Sequence, residues 1–162
     1  MSARAKNHIP DGYGTVTPFV IVKGAVGFID FMVRAYDATE LGRVGEEGAI
    51  GHAEVRIGDS VVMLFDSKPG WPDTPAFLRL YVEDVAATYR RAIDAGGSSV
   101  TEPTDMLWGD RVGRVRDPFG NLWWLMTHVE DVDPDEVARR WSDPVWLERL
   151  AIAESAEFFP RG

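Results

Sequence analysis

The sequence predicts an α+β protein built from two strand–helix–strand–strand–strand (βαβββ) modules in succession, followed by a helical extension. Three observations carry this. Patterns of period two, then 3.6, then two again, occur twice along the 162 residues. A stretch rich in Pro, Gly, Ser and Asp, SKPGWPDTP at 67–75, separates the copies. The closing residues lose the strand pattern and read as helix. The expected division is an N-terminal arm (1–12), a first module (13–66), a linker (67–75), a second module (76–130) and the extension (131–162).

Residues 1–12 are polar and end in Pro10-Asp11-Gly12, which reads as a loose arm. TVTPFVIV (15–22) is short and β-branched, hence a strand. AVGFIDFMVRAY (25–36) sets Val26, Phe28, Ile29, Met32 and Val33 at helical spacing. ATELGRVG is a second strand. AIGHAEVRIG (49–58) alternates Ala53, Val55 and Ile57 with His52, Glu54 and Arg56, the mark of a half-buried strand. Gly58-Asp59 turns it into VVMLFD (61–66).

The second copy begins with FLRLYVE (77–83). DVAATYRRAIDAGG (84–97) is a helix with Asp84 as its N-cap and Gly96 at its C-terminal end. SSVTEP gives a short strand. RVGRVRD (111–117) and NLWWLMTHV (121–129) form a hairpin around Pro118-Phe119-Gly120. In the extension, DVDPDEVARRW and SDPVWLERLAIAESAEFF read as two helices. Asp143 caps the second, Pro144 is its first residue, and Trp146, Leu147, Leu150 and Ala151 make its apolar stripe.

Composition narrows the function. The absence of cysteine removes disulfides, thiolate metal sites and a cysteine nucleophile. With 26 acidic against 17 basic residues and a net charge of −9, a broad nucleic-acid-binding surface is not expected. No run is long enough to span a bilayer and the first residues lack an apolar signal core, so a cytoplasmic protein without membrane contact is expected. No phosphate-cradling Gly-rich loop follows a strand, and no nucleophile-elbow sequence surrounds a serine.

DPFGNLWWLM (117–126) is the most informative stretch. On a strand, Trp123 and Trp124 point to opposite faces, one toward a helix and one away from it. His52 and Glu54, two apart, share a face with Arg56. They read either as a metal pair or carboxylate-oriented histidine, or as a solvated polar face. His128 adds a possible third donor, and the sequence leaves the set His52, Glu54, His128 open.

The stretches DGYGTVTPFVIV, GHAEVRIGDSVVML, LYVEDV, WGDRVGRVRDPFGNLWW and THVEDV resemble the vicinal-oxygen-chelate superfamily of glyoxalases, bleomycin resistance proteins and dioxygenases, and within it the PhnB-like group. The resemblance covers residues 11–132. It implies a mixed sheet curved into a cup, helices outside, ligand or metal within, and a homodimer. In the family's metal enzymes the ligands come from the first and last strand of each module. Those positions fall at Thr17, Met63, Phe77 and Trp124, none an imidazole or a carboxylate. The expectation is therefore a protein with no metal and no cofactor, leaning away from catalysis.

Its cup would be lined by Phe19, His52, Glu54, Met63, Phe65, Phe77, Arg79, Trp124 and Met126, with Trp108 at the rim. It would sequester an aromatic or cationic small molecule, an antibiotic among the candidates. Arg79 would meet Glu54, an edge carboxylate or an acidic group of the ligand. Two alternatives stand beside this: a metal-dependent lyase, isomerase or dioxygenase, and a scaffold whose cup is filled. The aromatic residues Trp141, Trp146, Phe158 and Phe159 mark the extension as a candidate contact surface.

Overall fold

A computed structural model of the chain describes residues 5–155, and Phe158 and Phe159 lie outside them. The chain divides into two compact units after Thr74. In the first, β1 (Phe19–Val22), α1 (Ala25–Tyr36), β2 (Thr39–Val44), β3 (His52–Ile57) and β4 (Ser60–Asp66) form one sheet in the order β1-β4-β3-β2. In the second, β5 (Phe77–Tyr81), α2 (Val85–Asp94), β6 (Ser98–Asp105), β7 (Asp110–Arg116) and β8 (Leu122–His128) repeat that order as β5-β8-β7-β6. Two further helices follow, α3 (Pro134–Arg140) and α4 (Pro144–Glu154). The first strand is shorter than expected from 15–22. Pro18 has no N–H for a ladder, and its carbonyl takes the Met63 N–H just before β1 begins.

In each unit the first and last strands are parallel and the remaining pairs antiparallel. A parallel pair needs a long crossover, and the helix in that crossover covers one face of the sheet. Val20, Val22, Ala53, Val55 and Leu64 are buried together with Phe28, Phe31 and Met32 of α1. Leu125, Val115 and Trp123 play the same part with α2, and Trp123 is wholly buried, donating from Nε1 to Asp117 Oδ2 at 2.8 Å. Fully burying one such side chain contributes roughly 1.5–3 kcal/mol. Gly113 lets α2 come close, because a Cβ there would lie 3.3 Å from the Tyr89 ring.

The end of each last strand caps the helix that follows the first. Gly24, at φ 98°, has no side chain with which to cap α1. The buried Asp66 carboxylate does so instead, accepting from Gly24 N (3.0 Å) and Ala25 N (2.8 Å), and from Ile50 N (2.8 Å). In the second unit Thr127 Oγ1 accepts from Val85 N at 2.9 Å, beside the expected Asp84 cap to Ala87 N. Asp66 and Thr127 are thus equivalent, which makes Met63 equivalent to Trp124.

The extension packs on the second sheet, on the face away from α2. Asp143 caps α4 and Pro144 opens it, as the sequence predicts. The inward stripe differs. Trp146, Leu150 and Ala153 face inward, whereas Leu147 and Ala151 are exposed. The Trp146 ring lies under two guanidiniums, Arg140 of α3 at 4.6 Å and Arg149 of its own helix at 4.7 Å. Ala153 reaches a buried cluster of Met106, Val112 and Met126, against which Trp124 also packs. Among the described residues no helix is long and apolar enough to cross a membrane.

His128, at the root of the extension, bridges Asp110 Oδ1 from Nδ1 and Asp131 Oδ1 from Nε2, both at 2.8 Å. The two carboxylates, Asp131 foremost, hold its pKa above the usual histidine value.

Asp66→Ala is expected to lower stability in urea denaturation by about 2–4 kcal/mol, because buried N–H groups lose their acceptor. Asp66→Asn should cost less. The protonated His128 bridge contributes stability that is fully present below the unfolded pKa of about 6.5 and is lost as pH rises through the higher folded value. Melting temperature measured against pH should show this loss, and His128→Gln should remove it.

Candidate ligand-binding faces

The face of the first sheet turned from α1 carries most of the side chains that the sequence marks. Phe19 pairs with Met63, which pairs with Glu54, while Ile21 pairs with Phe65 and Val44 with His52. The row is aromatic: Phe19 meets Phe65 edge-on at 5.4 Å and His52 at 6.0 Å. Trp71 of the linker folds against Phe65 at 6.2 Å, with the Lys68 ammonium 5.5 Å from its own ring. Phe19 and Trp71 remain 50% and 42% exposed, large apolar surfaces left to solvent.

Glu54 sits beside these rings and is held from both sides. His52 Nε2 lies 3.0 Å from Oε1, and the Tyr13 hydroxyl donates to Oε2. The Tyr13 bond, then His52, keeps the Glu54 carboxyl below the usual glutamate range, and the same bond pushes the Tyr13 hydroxyl up. One residue earlier, the Gly12 carbonyl accepts from Arg56 Nη1 at 3.3 Å. The end of the arm is therefore tied to β3. The chemistry of this face is a fixed negative charge beside open ring faces, with an imidazole oriented by a carboxylate.

The equivalent row on the second sheet has the opposite charge. Arg79, Trp124 and Arg114 are register partners across β5, β8 and β7. The guanidiniums lie 5.9 Å (Arg79) and 5.2 Å (Arg114) from the Trp124 ring, and Phe77, 49% exposed, lies 6.3 Å from it. Arg114 Nη1 also donates to Thr101 Oγ1 (3.3 Å) and the Ala153 carbonyl (3.1 Å). Burial, then the charge of Arg79, lowers its pKa from the usual arginine value. Trp108 donates from Nε1 to Asp110 at 3.0 Å.

One expected lining residue is covered. Met126 shares the Trp124 face but is buried beneath Ala153, so α4 covers it. Arg79 forms no ion pair among the described residues, and Trp124 is its neighbour. A cleft of about 330 Å³ opens elsewhere on this unit, but its Arg111 and Asp105 pair with each other at 2.6 Å. Sequence reasoning did not single out Tyr13, Trp71 or Arg114. A tryptophan in a polar linker, and Arg114 and Arg116 two apart in RVGRVRD, were the available signals.

The donor set does not fit the metal of the family's enzymes. Thr17 lies ahead of β1, and Met63, Phe77 and Trp124 bring a thioether and two ring systems where nitrogen or carboxylate oxygen is needed. His128 is engaged by Asp110 and Asp131 in its own unit. Among the described residues no three His, Asp or Glu side chains are grouped to hold an ion.

Similar proteins are found in sequence and in structure. Uncharacterized protein Mb0911c of Mycobacterium bovis is 42% identical over 134 residues, 75% of this chain and 88% of its own. The crystal structure of TioX from Micromonospora sp. ML1 superposes with a TM-score of 0.62 at 25% identity, over 72% of this chain and 99% of the other. The bleomycin resistance determinant encoded on transposon Tn5 gives 0.55 at 20% identity, over 71% and 98%. A family profile matches residues 18–125, two βαβββ modules with their paired outer strands, and the chain belongs to the Glyoxalase/Bleomycin resistance protein/Dioxygenase superfamily.

Proposed function

We propose that the protein binds and sequesters a flat aromatic cation, with no bond made or broken. The observation that carries this reading is the open row of rings on the first sheet, Phe19, Phe65 and Trp71, with the Glu54 carboxylate at its margin. A planar ligand laid on these rings buries apolar area worth roughly 25 cal/mol per Å². A cation gains a further ~0.5–2 kcal/mol from ring faces and is drawn by Glu54. The net charge of −9 favours its approach. The Tn5 determinant shares the fold at an identity that carries architecture alone. An antibiotic of this chemical type fits the reading. Catalysis by a divalent metal is not supported, since the strand positions concerned lack donors.

Calorimetric titration with 10-methylacridinium and with neutral acridine, its uncharged counterpart, tests this. The cation should bind at least about five-fold tighter. Phe19→Ala should weaken both by about 1–2 kcal/mol, and Glu54→Gln should remove the preference for the cation. Failure of both ligands to bind, or indifference to Phe19→Ala, would contradict the reading. Zinc, manganese or nickel should leave the melting temperature unchanged. A saturable rise would show a metal held by the folded chain.

A further inference from the structure

The Glu54 carboxylate offers charge to the first sheet's open face, but little hydrogen-bonding capacity. Oε1 faces His52 Nε2 at 3.0 Å, and Oε2 accepts from the Tyr13 hydroxyl. Tyr13 is set in place by a turn at the end of the arm. Its N–H donates to the Pro10 carbonyl at 3.2 Å, and the Gly12 carbonyl accepts from Arg56 Nη1. Gly12, at φ 83°, leaves room for that guanidinium, since a Cβ there would lie 2.9 Å from Arg56 Nη2. The other groups of the face are rings and a thioether: Phe19, Phe65, Trp71 and Met63. None of these is a strong hydrogen-bond acceptor.

Two kinds of organic cation meet such a face differently. A protonated amine carries N–H donors that lose water on binding and lose affinity where no acceptor replaces it. A quaternary nitrogen has no donor to satisfy. Its methyl groups pack on ring faces, and it needs only a negative charge nearby. His52 Nδ1, when the ring is neutral, can serve one of the three N–H groups of a primary ammonium. We infer that this face selects quaternary cations over protonated amines, and that Tyr13 sets the choice by occupying Glu54 Oε2. The inference rests on the reading of the first sheet as a cation-binding face and narrows its ligand class.

The test is calorimetric titration of the full chain with (2-naphthylmethyl)trimethylammonium and with (2-naphthylmethyl)ammonium at neutral pH. The two share ring and charge and differ in N–H groups. The quaternary ion should bind at least about five-fold tighter. Its added methyl groups favour it by area alone, so Tyr13→Phe is the deciding variant. With Oε2 freed, the primary ammonium should bind at least about three-fold tighter than to the unaltered chain, and the quaternary ion within about two-fold of its original affinity. The circular dichroism spectrum should be unchanged. Equal affinities in the unaltered chain, or a preference that Tyr13→Phe leaves as it was, would overturn the selection while the cation face stands. Failure of both ions to bind at millimolar concentration would overturn the cation face as well.

Discussion

The parallel pairing of the first and last strand in each module is the constraint on which the rest depends. It forces a long crossover, and the crossover helix takes one face of the sheet. The helix is then held by the end of the last strand, through Asp66 onto α1 and Thr127 onto α2. Once these bonds fix the register, alternation places the side chains of β1, β4, β5 and β8. Trp123 must lie under α2, anchored to Asp117, and Trp124 must lie on the far side. A slip of one residue would exchange them and place a wholly buried tryptophan in solvent.

On this shared frame the two modules carry different chemistry. In the first, rings stand open around a carboxylate that Tyr13 and His52 keep ionised. In the second, guanidiniums flank an indole, and a helix from outside the repeat covers part of the face. Among the described residues neither row groups three nitrogen or carboxylate donors that could hold an ion. Ring area and charge are what the proposed capture of planar molecules would use. The α4 contact also decides how much of the second face is open: Met126 is lost beneath it, while Phe77 and Arg79 stay accessible.

Local rules made much of this legible from the sequence. The alternation of His52, Glu54 and Arg56 against Ala53 and Val55, the caps at Asp84 and Asp143, and the opposed faces of the two tryptophans all follow from residues a few positions apart. The contacts that complete the faces do not. Tyr13 reaches Glu54 across 41 residues, and Arg114 reaches the Ala153 carbonyl across 39. Trp71 sits in a stretch whose composition signals only a linker. The stripe on α4 was misplaced for a similar reason. Trp146, Leu147, Leu150 and Ala151 are a sound helical face, but Ala153 packs on Met106, Val112 and Met126 from residues 27–47 positions away, which sets Trp146, Leu150 and Ala153 inward.

The central claim is that ring surfaces on the first sheet, beside a fixed carboxylate, form a binding face. Amide-resolved NMR of the full chain during titration with 10-methylacridinium tests it most directly. The account predicts that the largest shifts map to Phe19, Ile21 and Phe65, to His52 and Glu54, and to the Trp71 indole N–H. Shifts confined to residues outside β1, β3, β4 and the linker, or none at saturating ligand, would contradict it.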